Sequence, residues 1–568
     1  MTANTSNLLN NADPVSSADP NYQAMFQNLQ GNILKGHGRD FSTNIFLRFH
    51  QEGDALRDII KELTETYVTS AAKQLSESDQ FKRFKVPGTM FGNLFLTARA
   101  YQKLGFGSNL TSWFPDSDTV PPGAESVFPD ASNFITGMRQ AAQDLGDIPG
   151  DIQTVPEDKI DKLTLLQKHH LFVQGQIPTA PVLEPLETAY YEETIDAMLL
   201  LADDSKEYLL RKTRELITQI ERDCTVTVLA VEVGEALRNQ EEEGIEHFGY
   251  VDGRSQPLYL ADDFKDLVNG KIDTKVTTEK INEKATRRES GAIDIWNPFE
   301  KLSMVLIADP GVTADSAFGS YFVFRKLEQD VMRFSIAEQT LADKLKLTGS
   351  DRERAGAMAV GRFRDGTPLV LSETDGLIPA KANNFRYDGL DANLQNHSPV
   401  LDDSAGLKCP FQAHIRKTSP RQSDFDEAGD RSRRITRRGI PYGERRKAPN
   451  VFQALDDLPT GNVGLLFACF QSSIVKQYAF MQKTWANNTN FKKGETGLDP
   501  IIGQALSFDP DGNPKQHWRS EYGGATTLPF PEEHVVTENF SDFVKFRGGE
   551  FFFAPSMPFL LNEPGPVA

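Results

Sequence analysis

Asp252, His414 and Arg437 are the residues of this chain whose types and settings could do chemistry together. Asp252 stands in a glycine-framed turn, Gly249-Tyr250-Val251-Asp252-Gly253, inside the stretch His247 to Pro257 (HFGYVDGRSQP). A carboxylate there could give and take a proton. Its unperturbed pKa of about 3.9, against about 6.5 for histidine, keeps a fraction of it ionised in acid where histidine is fully charged. His414 lies in a Cys-Pro-led segment, Cys409-Pro410-Phe411-Gln412-Ala413-His414-Ile415-Arg416-Lys417. A neutral imidazole is a good axial ligand for iron. Arg437 sits in Arg437-Arg438-Gly439-Ile440-Pro441-Tyr442-Gly443. Its fixed charge could stabilise negative charge developing on an oxygen atom. Each residue also has an ordinary reading. Asp-Gly between apolar runs is a turn signal. One histidine among nine is usually a surface or satisfied core residue, and adjacent arginines usually form a solvated basic segment, which remains the reading of Arg433 and Arg434.

The elements that must position these groups follow from periodicity. Ile45 to Phe49 reads as a strand, and Asp54 to Val68 as a helix with Leu56, Ile59, Ile60, Leu63 and Tyr67 on one face. Asn93 to Thr97 and Ala197 to Ala202 are strands, Lys206 to Ile220 is an amphipathic helix, and Thr225 to Val233 is a strand. The order β-α-β-β-α-β is ferredoxin-like, an antiparallel sheet with helices on one face. The second half repeats it with larger insertions. Tyr321 to Phe324 is a strand and Val331 to Leu345 a helix. A middle strand is expected near Ala357 to Phe363 or Pro368 to Leu371. Gly464 to Phe470, a helix through Trp485, and Phe551 to Ala554 complete it. Residues 106 to 190, 258 to 300 and 372 to 408 read as irregular insertions, the first with a helical interlude near Phe134 to Leu145.

A chain of 568 residues can bury a large core in more than one domain. We expect a disordered tail over 1–25, a ferredoxin-like domain over 26–245 and a second over 246–568. No run of about 18 apolar residues occurs, so no transmembrane helix is expected. The polar first twenty residues lack the pattern of a signal peptide, which points to the cytoplasm. Cys224, Cys409 and Cys469 are too few and scattered for a disulfide framework, and Cys224 and Cys469 read as small core residues. A formal charge of −19 argues against nucleic acid or an anionic membrane as partner.

The trio, with its flanking residues and wide separation, resembles the dye-decolourising peroxidase family. The likeness extends to Leu29-Gln30-Gly31-Asn32-Ile33-Leu34-Lys35-Gly36-His37-Gly38-Arg39 and to Phe546 through Phe553. The resemblance implies an α+β fold of two ferredoxin-like domains forming a dimeric α+β barrel-like core, with one haem b per chain in the C-terminal half. It implies that His414 is the axial iron ligand and that Asp252 and Arg437 serve the opposite face as acid–base group and electrostatic stabiliser. Arg421 would bind a haem propionate, and Leu465 and Phe467, two apart on one strand face, would cap the pocket. Hydrogen peroxide would be reduced and bulky aromatic dyes and phenols oxidised one electron at a time, the electrons passing through surface tyrosine or tryptophan residues, for which Trp113, Trp296, Trp485 and Trp518 are all the tryptophans available. A homo-oligomer is compatible with this reading. Two others compete: a haem- or iron-handling protein, which needs His414 but neither Asp252 nor Arg437, and a scaffold without haem.

Overall fold

The computed structural model describes residues 8–11, 14–114, 133–147, 195–263, 298–377, 383–421, 427–504, 515–523 and 535–562, apart from single positions and short gaps within these spans. The first half runs β1 (Phe41–Phe49), α1 (Gly53–Tyr67), α2 (Ala71–Phe84), β2 (Phe91–Leu96), β3 (Ala197–Asp203), α3 (Lys206–Arg222) and β4 (Val226–Glu235). The second runs β5 (Phe318–Gln329), α4 (Val331–Lys344), α5 (Glu353–Val360), α6 (His414–Thr418), β6 (Thr436–Arg437), β7 (Ile440–Tyr442), β8 (Gly464–Gln471) and β9 (Val544–Ala554). Two π-helical segments, Ile474–Ala479 and Met481–Ala486, follow β8.

The strands of each half lie in ferredoxin order, β4-β1-β3-β2 and β9-β5-β8-β7, all antiparallel. The halves meet at two seams. Phe553 of β9 pairs with Leu96 of β2, and Tyr442 of β7 pairs with Gly234 of β4. These single-residue pairings close the two sheets into one barrel, which removes most of the exposed edge. Gly234 is required at its seam, because a Cβ there would stand 2.4 Å from Ile440 and 2.7 Å from the Ser42 hydroxyl.

Strand alternation sorts the side chains into two cores. Ile45, Leu47 and Phe49 of β1 pack outward under Leu56, Ile60 and Leu63 of α1, whose spacing gives one buried helix face. Phe46 points the other way, into a barrel interior shared with Phe95, Phe322, Phe470 and Phe552. Phe95 stacks on Phe322 at 4.1 Å, and Phe322 meets Phe470 at 4.8 Å. The barrel is thus filled with aromatic rings, and the ligand site must lie outside it.

Several expectations need correction. The middle strand of the second half is neither Ala357 to Phe363 nor Pro368 to Leu371. The first stretch belongs largely to α5, and the second forms a turn joined by a lone bridge from Arg362 to Pro368. The strand is instead split into β6 and β7 around Gly439. Residues 372–408 are not wholly irregular, since Asp388–Asp391 pairs with Asn396–Asp402. Cys224 is exposed, with φ of 54°, because it ends the turn after α3 rather than starting β4, whereas Cys469 is buried. Within the expected tail 1–25, Leu9, Val15, Tyr22 and Met25 are buried, and Val15 bridges to Leu260. The described part of that stretch therefore packs on the core. Most of 106–190 and 258–300, including His169 and His170, lies outside the described residues.

Removing one interior ring tests the closed barrel. Phe95→Ala should cost about 3–5 kcal/mol, the range for a buried large-to-small change, read as a lowered midpoint in urea unfolding.

Candidate active site

The turn that carries Asp252 is built by its neighbours. Gly249 and Gly253 take φ of 91° and 80°, a region side chains avoid. The Glu246 carboxylate accepts the N–H groups of Phe248 at 2.8 Å and Tyr250 at 3.0 Å, folding the chain back on itself. The aromatic lead-in then anchors the turn. Phe248 stacks on Phe334 of α4 at 4.0 Å, and the Tyr250 hydroxyl donates to Glu338 of the same helix. Asp252 is left at the cavity wall with its side chain 36% exposed.

Arg437 Nη1 donates to Asp252 Oδ1 at 2.7 Å, bringing two of the three expected residues together. Burial pushes the Asp252 carboxyl up, but the Arg437 charge, the Gly253 N–H and the His414 ring outweigh it and hold the group below its ordinary value. Burial raises the nearby Glu246 carboxyl to about 7, and the Asp252 charge adds to that shift.

His414 opens α6 and lines the same cavity as Asp252 and Arg437. Its Nδ1 lies 3.0 and 3.2 Å from the two oxygens of Asp499, a fully buried carboxylate. That contact fixes Nδ1 as the protonated nitrogen and leaves Nε2 for a ligand. Asp499 is itself held by the N–H groups of Ile501 and Ile502 at 2.8 and 3.0 Å. Lys417 secures the loop, donating to the carbonyls of Ala486, Asn488 and Gly497 at 3.3, 2.8 and 2.7 Å. On the other side Arg416 binds Asp403, so two consecutive cations of the motif tie α6 to segments before and after it.

Leu465 and Phe467 of β8 point away from the barrel into this cavity, beside Leu327 of β5, while Leu466 and Ala468 face the barrel interior. Ile415, Ile435, Met481, Ile501 and Ile502 add apolar wall. The cavity holds about 1550 Å³ of non-atom space, counting its open mouth. Arg421 also lines it, with Nη1 donating to the carbonyls of Asn383 and Phe385 and Nη2 to Asn383 Oδ1 and Ser255. Arg362 lies beside it, sharing Asn383 Oδ1 at 2.8 Å. Burial pushes Arg421 down to about 9 and Arg362 down to about 10.

These features fit a haem. A flat apolar group with carboxylate arms would fill the slot between β8 and α6, and its anionic arms would relieve the cost of burying Arg362 and Arg421. Among the described residues no three His, Cys, Asp or Glu side chains converge on a metal position. One imidazole suits iron that a macrocycle already chelates.

Asp499, Lys417 and Arg362 went unread in the sequence. The signal for Asp499 was the Asp499-Pro500 step, an ordinary turn marker. Of the tryptophans, Trp485 and Trp518 are buried, Trp113 is half-buried, and Trp296 lies outside the described residues.

Comparison with known proteins agrees with this fold. Residues 296–496 match the family described as Dyp-type peroxidase, C-terminal. The multifunctional dye peroxidase DyP2 of Amycolatopsis sp. is 36% identical over 553 residues, covering 96% of this chain and 97% of that protein. Its solved structure superposes with a TM-score of 0.72 over 97% of this chain and 99% of its own. The DyP-type peroxidase of Anabaena sp. is 33% identical, with a TM-score of 0.71 and 98% coverage of both chains. The fold and these likenesses define a peroxidase class of α+β barrel. The chain belongs to the dye-decolourising peroxidase family: it is a peroxidase, an oxidoreductase acting on peroxide, and haem is the cofactor the family implies. That decides against the haem-handling and scaffold readings.

The ion pair yields a direct test. Arg437→Leu should raise the Asp252 pKa, because the adjacent cation that holds it down is removed. Carboxyl titration by infrared difference spectroscopy measures it.

Proposed function

We propose that the chain binds one haem b, with His414 as axial ligand, and uses hydrogen peroxide to oxidise bulky aromatic dyes and phenols by single electrons. The observation that carries this reading is that one cavity is lined both by the Asp252–Arg437 pair and by His414, backed by Asp499. The relative from Amycolatopsis is named a dye peroxidase, which supports the substrate class. We take the division of the chain as 26–245 and 246–568, with the haem in the second part. No helix among the described residues is long and apolar enough to cross a membrane.

Bound haem supplies the redox-active iron at which the peroxide O–O bond is cleaved. The protein's own groups do the rest. Asp252, held ionised, takes the proton from the inner peroxide oxygen and returns it to the outer one. Arg437 stabilises the negative charge on the departing oxygen, where a fixed, preorganised cation is most effective. The Asp499 carboxylate makes the His414 imidazole a stronger donor, which favours that cleavage. Leu465 and Phe467 keep the reacting side narrow and dry, Arg421 with Arg362 meets the propionates, and electrons from large substrates enter from the surface.

His414→Ala should lose haem while remaining folded, measured as the Soret absorbance per chain alongside circular dichroism. Asp499→Asn should weaken haem binding by about 10–100-fold, the typical effect of removing a ligand's hydrogen-bond partner. A variant that keeps full haem affinity would contradict the role given to Asp499.

Asp252→Asn should slow the reaction with peroxide by about 10²–10⁴-fold, and Arg437→Leu by about 10²–10³-fold, both with haem retained. The pH dependence follows in sign. A carboxyl lowered in the folded protein remains a base above its own pKa, so the rate should persist below pH 5. It should fall only beneath the ordinary aspartate value of 3.8. Stopped-flow rates against pH, with the Soret band followed in the same samples, check this. A fall near pH 6.5 that survives in Asp252→Asn would point to a histidine base.

A further inference from the structure

The N-terminal stretch from Leu29 to Arg39 does not line the cavity, yet it reaches Arg437 through the next residue. At the end of β6 the two arginines part company. Arg437 points to the cavity, and Arg438 turns toward the N-terminal segment. The Arg438 guanidinium donates Nε to the carbonyl of Asn32 at 2.7 Å and Nη2 to that of Ile33 at 3.1 Å. Its remaining nitrogen, Nη1, donates to the carbonyl of Arg437 itself at 2.9 Å. One planar cation therefore bridges three carbonyl groups from two distant parts of the chain.

The far end of this bridge is fixed. Asn32 takes φ of 68°, and its N–H donates to Gln74 Oε1 on α2 at 2.8 Å. Gln74 Nε2 donates in turn to the carbonyls of Lys35 and Gly36, both at 2.9 Å. The other side of the Arg437 residue is fixed as well. Its N–H donates to Gln256 Oε1 at 3.0 Å, four residues past the Asp252 that receives its side chain.

We propose that Gln256 and Arg438 are positioning residues that clamp the Arg437 backbone at its N–H and its carbonyl, so that the N-terminal segment sets where the Arg437 guanidinium sits over Asp252. Neither residue donates to or accepts from Asp252 directly. They act through Arg437. Lysine at 438 would keep the charge but could not span the three carbonyls in one plane.

This inference rests on the reading that Arg437 serves peroxide cleavage, and the experiment separates the two. Haem-loaded Gln256→Leu, Arg438→Met, Arg438→Lys and Arg437→Leu are compared with the parent in stopped-flow mixing with peroxide across pH, with haem content read from the Soret band. Hydrogen exchange at the Arg437 amide is followed in parallel. Gln256→Leu and Arg438→Met should each slow the reaction, by up to about 10²-fold for a displaced catalytic group. Each should move the acid limb to higher pH, as a loosened Arg437 no longer holds Asp252 down, and Arg438→Lys should not restore it. Exchange at the Arg437 amide should quicken in Gln256→Leu, and adding either change to Arg437→Leu should produce no further loss. Parent-like rate and acid limb in a haem-loaded Gln256→Leu, or losses that multiply with Arg437→Leu, would overturn the clamp while a slow Arg437→Leu left the reading of Arg437 standing. A parent-like Arg437→Leu would overturn both. Gln256→Leu keeps the test alive if Arg438→Met does not fold.

Discussion

A guanidinium and a carboxylate 2.7 Å apart, brought together across 185 residues of sequence, set the terms for the rest of this molecule. Such a pair is useful only where water is scarce, since in bulk solvent the attraction at this range is about 1 kcal/mol. Scarcity of water requires an apolar cavity, and an apolar cavity requires a rigid wall. The barrel supplies the wall. Its interior is packed with phenylalanine rings, so β8 can turn Leu465 and Phe467 outward without losing its footing. The two π-helical segments after β8 bring Tyr478, Met481 and Gln482 to the same cavity, an irregularity of the kind that collects at functional sites.

The part of the lining around His414 follows the same logic with the charges arranged differently. There the critical group is an imidazole, and the protein's task is to choose which of its nitrogens faces the cavity. A buried carboxylate at Asp499 does so, and burying it would be costly alone. The His414 ring, the Ile502 N–H and the nearby Lys417 charge together hold it below its ordinary value against the effect of burial. Lys417 bears part of that cost, its own pKa being pushed down to about 8 by burial. The cavity is thus lined by the Asp252–Arg437 ion pair and by an oriented imidazole.

Much of this was legible in the sequence, and the parts that were not share a cause. The strands and helices of the first half carry regular periodicity and match expectation to within a few residues. The Asp252 turn was legible because glycines and aromatic residues surround it. The split strand β6–β7 was hidden because two and three residues, arginine-rich and broken at Gly439, carry no period of their own. They are strands only because β8 offers them an edge. The helix α2 was hidden because only Ala71 and Gln74 of its length are buried. Asp499 was hidden because its partner is 85 residues away, and an Asp-Pro step reads as a turn wherever it occurs. Local pattern reveals what local forces shape, and these features take their form from distant contacts.

The central claim is that the cavity holds a haem through His414, and chemical rescue tests it most directly. Glycine at 414 would leave a gap the size of the missing ring, beside an Asp499 still poised to accept a hydrogen bond. The measurement is the Soret spectrum of His414→Gly loaded with haem, with and without added imidazole. The account predicts weak or altered haem binding that free imidazole restores to the parent spectrum. A His414→Gly protein that shows the parent spectrum without imidazole would contradict it.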